Sequence, residues 1–261
     1  METREYISVL AKEGGLLVEA SRGTNASAPV PTCPEWALRD LLAHIGFVHR
    51  WATAYVAKGL TDMVVEPAEN EVLSRATSDE LLVSWVDEGH RALVEALSSA
   101  PAGLRCWTFL PAPSPLAFWA RRQAHETTVH RVDAELTAGQ APSSVGTSLA
   151  VDGIDELLLG FLARPRSRRL PKLVPGVVNF EATDAGHSWT VRIFPDRMET
   201  TKGPSKSASK SASTSDSDLS VRAPASDLYL LLWNRRSGAD MDVAGRGDLL
   251  GQWAEQVRVI W

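Results

Sequence analysis

The 261-residue sequence contains only two cysteines, Cys33 and Cys106, too few for a disulfide framework. This scarcity favours a reducing compartment, and we predict a cytoplasmic protein. No run of about eighteen apolar residues occurs, so we expect no membrane-spanning helix. The N-terminal residues are acidic and lack an apolar stretch, so we expect no secretory signal. Basic residues are not in excess either, and the net charge of −5 argues against nucleic acid as the main partner.

Hydrophobic residues make up 44% of the chain and charged residues 23%, values typical of a globular protein that buries a core. Nine tryptophans accompany only three tyrosines. Four of the tryptophans lie on predicted helices, and we assign these to the core or to a pocket wall: Trp36, Trp51, Trp85 and Trp119. The six histidines are unevenly distributed. Five of them lie in the first half of the chain, namely His44, His49, His90, His125 and His130.

The first half of the sequence is predicted to be helical. Apolar periodicity and helix start and stop signals give helices over residues 2–21, 35–58, 79–99 and 116–137. Thr32 and Glu35 have the spacing of a capping box at the start of the second helix. Four helices of similar length joined by loops indicate a four-helix bundle over residues 1–140.

The second half, residues 148–261, is predicted to be a small α+β domain. We predict helices over 151–162, 224–236 and 247–257, and strands over 177–182, 188–194 and 218–222. Residues 203–218 include seven serines in sixteen positions, so we expect a disordered loop inserted in this domain.

The fourth predicted helix carries residues suited to bind a metal. Glu126 and His130 are four residues apart, so both project from one helix face on successive turns. His125 and His130 are five apart, about 140° around the helix, and do not share a face. A third ligand must come from another helix, and the second helix offers His44 or His49. Apolar periodicity does not choose between those two histidines.

Simpler interpretations compete with the metal site. An isolated Glu/His pair on a helix is usually a surface pair, and the apolar phase of the fourth helix places His125 nearer the core than Glu126. We assign structural roles to His90, His125 and His187. Neither cysteine has a neighbouring histidine in the sequence, which disfavours a cysteine nucleophile.

Two segments resemble signatures of the mycothiol-dependent maleylpyruvate isomerase family. They are Cys33-Pro-Glu-Trp-Ala-Leu-Arg-Asp-Leu-Leu-Ala-His44 and Phe118-Trp-Ala-Arg-Arg-Gln-Ala-His-Glu-Thr-Thr-Val-His-Arg-Val-Asp133. Two weaker similarities to its C-terminal domain follow, in Gly186-His-Ser-Trp-Thr-Val-Arg192 and Ala223-Pro-Ala-Ser-Asp-Leu-Tyr-Leu-Leu-Leu-Trp-Asn-Arg235. The resemblance covers nearly the whole chain.

The resemblance implies a DinB-like four-helix bundle followed by a sterol-carrier-like α+β domain. It implies a divalent metal, zinc or another first-row ion, held by His44, Glu126 and His130, and so selects His44 over His49. It also implies mycothiol as the thiol cosubstrate. Arginines that could hold a substrate carboxylate are Arg122 and Arg235, and Asp133 is a candidate partner of a metal ligand.

Three ligands leave a position open on zinc, and a thiol bound there is deprotonated. We therefore predict an S-transferase or a cis–trans isomerase, in which a metal-bound thiolate attacks an electrophilic or unsaturated small molecule. The alternatives are a metal-dependent hydrolase and a non-catalytic protein that binds a small molecule or lipid. The expected partners are a small-molecule substrate and a low-molecular-weight thiol, and the expected state is a monomer or homodimer.

Overall fold

The computed structural model describes residues 1–63, 78–163, 173–205, 217–257 and 259, and the chain divides into two compact units, Met1–Ser143 and Ser144–Trp261. Four long helices lie in the described residues of the first unit. They are α1 (Thr3–Ser21), α2 (Leu38–Lys58), α3 (Asp79–Ser99) and α4 (Pro115–Thr137). Helix α1 packs against α3 and α4, and α2 packs against the same two helices. The predicted four-helix bundle is therefore confirmed.

Local capping explains where the two helices of the predicted site begin. The Ser114 side chain accepts a hydrogen bond from the Ala117 amide, and Pro115 occupies the first position of α4. Helix α2 begins three residues later than expected, at Leu38, because the Asp40 carboxylate accepts the Ala37 amide at 2.8 Å. The predicted capping box of Thr32 and Glu35 was wrong, and the Thr32 side chain binds elsewhere.

The second unit has an α+β fold, also as predicted. Helix α5 (Thr147–Asp155) runs into a π-helical turn, Glu156–Phe161. The strands and the remaining helices follow in chain order: β1 (Gly176–Ala182), β2 (His187–Ile193), β3 (Met198–Pro204), β4 (Leu219–Ala223), α6 (Ala225–Leu232), β5 (Asp242–Gly245) and α7 (Gly247–Gln256).

The five strands form one sheet in the order β3-β2-β1-β4-β5. The pair β1 and β4 is parallel, and the other neighbouring pairs are antiparallel. Burial alternates along the central strands, so that Val178, Phe180 and Ala182 of β1 face the core together with Trp189 and Val191 of β2.

Strands β3 and β5 were not predicted from the sequence. Their polar residues and low burial explain the omission, since most residues in both strands are not buried. Gly203 and Pro204 belong to β3, so the predicted disordered insert at 203–218 begins too early. Its central part, residues 206–216, lies outside the described residues. Among the helices described, none has the length and apolar character needed to span a membrane.

Candidate metal centre

Helix α4 is enclosed by the bundle. Every residue from 122 to 135 is buried, including most of the polar side chains of the predicted site. Buried polar and charged groups are costly unless they have partners. The environment of Glu126 and His130 is therefore the bundle interior and not the surface.

The three predicted ligands meet in this interior. Oε1 of Glu126 lies 3.3 Å from Nε2 of His44 and 3.2 Å from Nε2 of His130. The three ligand atoms all lie within 4.8 Å of one another. At metal–ligand distances of about 2.0–2.1 Å, two ligands of a tetrahedral site are about 3.3–3.4 Å apart. The two measured distances match that spacing, so this donor set fits zinc or a similar divalent ion.

The protonation pattern of His130 also suits a cation. Its Nδ1 lies 2.8 Å from Oδ2 of Asp133. An ionised carboxylate only accepts hydrogen bonds, so Nδ1 is the donor and Nε2 of the neutral ring keeps its lone pair. That lone pair faces Oε1 of Glu126, which is another acceptor. A cation between the two atoms, or a second proton on the ring, makes this contact favourable.

Arg122 fixes the other side of the Glu126 carboxylate. Its Nη2 donates to Oε2 at 2.7 Å, which leaves Oε1 directed at the two histidines. Burial on its own would raise the pKa of Glu126. The adjacent His130 and His44 side chains and the charge of Arg122 outweigh that effect and hold the pKa of Glu126 well below its usual range. Glu126 is therefore ionised at neutral pH, as a metal ligand must be.

His44 is the most exposed of the three residues, with 12% of its side chain exposed against 9% for His130 and 4% for Glu126. Trp36, which precedes α2, lies against both histidine rings. Its ring centroid is 5.1 Å from that of His44 and 6.1 Å from that of His130. Trp36 therefore forms a wall beside the ligand atoms.

The remaining histidines of the bundle make other contacts and do not belong to the group of three. His49 binds Thr127 through Nε2 at 2.9 Å, and its ring is 5.4 Å from that of His90. Burial, and then the nearby His90, lower the pKa of His49 well below its ordinary value. His125 packs edge-on against Tyr6.

Other predicted residues have different positions. His187 is the first residue of β2. Arg235 lies in the second unit, where its Nη1 donates to the Trp233 carbonyl at 2.8 Å. Burial raises the pKa of the Cys106 thiol, which is opposite to the shift that activates a cysteine nucleophile.

Sequence reasoning missed two residues of this site. The Thr32 hydroxyl donates to Oδ1 of Asp133, although the helix-start pattern assigned Thr32 to a cap. Trp36 was assigned only a general place in the core or a pocket wall. Both lie in the loop before α2, and the motif that carried the family resemblance, which begins at Cys33, was the available signal for Trp36.

Together, the fold and the site define a class of protein in which a four-helix bundle with a candidate His-Glu-His metal-binding set is joined to an α+β unit. Comparison with models of known families shows which family within this class the chain belongs to. Residues 9–135 match the family model described as the mycothiol maleylpyruvate isomerase N-terminal domain, and residues 148–252 match that of the MDMPI C-terminal domain. The chain belongs to the mycothiol-dependent maleylpyruvate isomerase family.

Solved structures agree with this fold. The chain matches a crystal structure of the mycothiol-dependent maleylpyruvate isomerase with a TM-score of 0.62 and 12% sequence identity, over 94% of this chain and 93% of that one. A histidine-to-alanine mutant of the isomerase matches with the same TM-score and coverage at 11% identity. No curated protein matches by sequence.

Proposed function

We propose that the protein is a metal-dependent enzyme that uses mycothiol as cosubstrate and acts on an electrophilic or unsaturated small molecule. The reaction is either cis–trans isomerisation or S-transfer. In the first, a carbon–sulfur bond forms at the double bond, the carbon skeleton rotates, and the same bond breaks. In the second, the carbon–sulfur bond persists in the product, and either a leaving group departs from the attacked carbon or the carbanion formed from the double bond takes up a proton. Family membership supports the use of mycothiol, and the ligand geometry supports the metal.

One observation carries the proposal, namely the convergence of three candidate ligand atoms. They are Nε2 of His44, Nε2 of His130 and Oε1 of Glu126. Zinc or another divalent ion held by these three residues would lower the pKa of a coordinated thiol and so supply the nucleophile. The side chains around this set prepare it. Arg122 holds the Glu126 carboxylate in place, and Trp36 excludes water from one side of the two histidine rings.

The two arginines have different proposed roles. Arg122 is buried and paired with Glu126, so we now propose that it positions a metal ligand. Its predicted contact with a substrate carboxylate stays a prediction. The same holds for Arg235, and Arg235→Gln is expected to raise KM for a carboxylate substrate without changing the metal content.

Metal analysis and calorimetry test the proposal. The wild-type protein is expected to carry about one divalent ion per chain, and a His44→Ala/His130→Ala variant is expected to carry none. A His187→Ala variant is the matched control, since it removes a histidine of the second unit. Mycothiol is expected to bind the zinc-loaded wild type and to bind the double variant much more weakly. Absence of metal from the wild type would refute the metalloenzyme, and absence of mycothiol binding to the zinc-loaded protein would refute the use of this thiol.

Several broader expectations belong to the same proposal. We propose the bundle, residues 1–140, as the metal-binding domain and residues 148–261 as the sterol-carrier-like domain. We expect a cytoplasmic location, because two cysteines are too few for a disulfide framework. We also expect a monomer or homodimer, which light scattering of the purified protein will distinguish.

A further inference from the structure

A hydrogen-bonded chain of three side chains ends at one ligand of the metal centre. The Thr32 hydroxyl donates to Oδ1 of Asp133, and Oδ2 of Asp133 accepts from Nδ1 of His130 at 2.8 Å. The Asp133 side chain has no solvent exposure. Each carboxylate oxygen thus has its own donor, so Asp133 cannot rotate without losing one of these bonds.

We propose that Thr32 and Asp133 are positioning residues that fix His130 in the tautomer and orientation needed to bind metal through Nε2. This inference rests on the proposed metal site. A neutral imidazole carries its proton on either Nδ1 or Nε2, and only the Nδ1–H form offers an Nε2 lone pair to a metal. The acceptor at Nδ1 selects that form and restricts rotation of the ring.

Thr32 acts on His130 indirectly, through Asp133. By binding Oδ1, its hydroxyl directs Oδ2 towards His130. Thr32 lies in the same loop as Trp36, whose ring contacts the rings of both His44 and His130. The hydroxyl therefore also ties this loop to α4 beside the ligands. Loss of the hydroxyl leaves Asp133 in place with one donor fewer, so its effect is smaller than that of replacing Asp133.

Replacement of Asp133 by asparagine separates this role from simple packing. An asparagine side chain has nearly the same shape as that of aspartate, but its amide nitrogen is a donor. With Thr32 donating to the amide oxygen, the amide nitrogen faces Nδ1 of His130. That contact favours the Nε2–H tautomer, which has no lone pair at Nε2 for a metal. Asp133→Asn should therefore change the tautomer without opening a cavity.

The first measurement is ¹⁵N NMR of the histidine rings in the metal-free protein, so it does not depend on metal binding. The wild type is expected to carry a proton on Nδ1 of His130, and Asp133→Asn is expected to lose it. An unprotonated Nδ1 in the wild type, or an unchanged tautomer in Asp133→Asn, would overturn the proposal.

The second measurement is zinc affinity by competition with a chelator. We expect Asp133→Asn to weaken zinc binding about 10–100-fold and Thr32→Val to weaken it less. Thr32→Ser keeps the hydroxyl and is expected to bind close to the wild-type value. Thr53→Val is the matched control, because the Thr53 hydroxyl binds the His49 carbonyl at 2.8 Å in a similarly half-buried position.

The outcomes separate this inference from the proposed function. Wild-type affinity in both Asp133→Asn and Thr32→Val would overturn the positioning role while leaving the metal site intact. A wild-type protein that binds no zinc would refute the proposed function, and the tautomer measurement would still decide the positioning role. Equal losses of affinity in Thr32→Val and Thr53→Val would also count against Thr32, since the effect would then be general.

Discussion

Helix α4 contributes to two buried charged clusters that differ in how their partners are matched. The ligand cluster consists of His44, Arg122, Glu126, His130 and Asp133. The arginine cluster consists of Glu13, Arg131, Glu135 and Ser143. Each cluster contains one arginine and two carboxylates, so with neutral histidines both carry a formal charge of −1. Charge and burial alone therefore do not distinguish them.

The contacts of the arginine cluster pair donors with acceptors, although one buried donor, Nη2 of Arg131, has no hydrogen-bond partner among the described residues. Arg131 donates to Glu13 at 2.8 Å and to Glu135 at 2.6 Å. The backbone amide and the hydroxyl of Ser143 donate to the two carboxylate oxygens of Glu135 at 2.9 and 2.8 Å. In the ligand cluster, by contrast, Nε2 of a neutral His130 ring with its proton on Nδ1 and Oε1 of Glu126 are two acceptors that face each other at 3.2 Å. Two facing acceptors, and not charge or burial, therefore distinguish the proposed metal site from the arginine cluster.

Breaking the arginine cluster is expected to have the largest effect on stability. Arg131→Leu leaves two buried carboxylates without their cation, which typically costs about 3–5 kcal/mol of unfolding free energy. Urea denaturation measures this loss, which we expect to be the same with and without zinc. A loss below about 1 kcal/mol would mean that the cluster behaves like an exposed ion pair.

Binding of zinc by the ligand cluster is expected to have the next largest effect on the unfolding free energy. Free zinc at about a hundredfold excess over its Kd should raise the unfolding free energy of the wild type by about 2.7 kcal/mol. The His44→Ala/His130→Ala variant should show no such gain. Equal stabilisation of both proteins in parallel urea titrations would place the bound zinc elsewhere.

The buried pair of His49 and His90 is expected to make the unfolding free energy depend on pH. Burial lowers the pKa of both histidines below the ordinary value of about 6.5 that they have in the unfolded chain. The unfolded state therefore binds more protons at acidic pH, and the stability contributed above about pH 6.5 is lost as the pH falls. Each group adds a slope of up to about 1.4 kcal/mol per pH unit.

A histidine substitution tests this pH dependence. Unfolding free energies measured between about pH 7 and 5 should fall less steeply in His90→Gln than in the wild type, with both proteins free of metal. Parallel curves would show that His90 does not titrate differently in the folded and unfolded states.

Breaking the exposed ion pair of Arg39 and Asp79 is expected to have the smallest effect on the unfolding free energy. Its 3.2 Å contact joins side chains that are 54% and 47% exposed, so solvent screens the interaction. Arg39→Gln should change the unfolding free energy by less than about 1 kcal/mol and leave zinc affinity unaltered. A larger change in urea denaturation would mean that exposure is a poor guide to the ranking of these ion pairs.

The sequence predicted most of the helical architecture because the helices have clear periodicity and start and stop signals. It predicted the ligands less directly. The spacing of Glu126 and His130 follows from helix geometry, whereas the choice between His44 and His49 depended on a family resemblance. The structure brings His44 into contact with Glu126, and His49 with Thr127.

The apolar periodicity of α4 led to a wrong prediction of which side chains are buried, because the helix is buried on nearly all sides. The assumption of one apolar face placed His125 inside and Glu126 nearer the surface, yet both are buried. Thr32 and Asp133 could not be paired from the sequence, since 101 positions separate them and only the fold joins them. Polar strands β3 and β5 likewise depend on pairing with neighbouring strands and not on their own hydrophobic pattern.

Anomalous diffraction from a zinc-soaked crystal is the most direct test of the central claim that the ligand cluster binds metal. We predict one strong peak at the zinc edge, bounded by Nε2 of His44, Nε2 of His130 and Oε1 of Glu126, with Nδ1 of His130 still bound to Asp133. The arginine cluster should show none. An empty ligand cluster in a crystal that holds zinc elsewhere would contradict the claim.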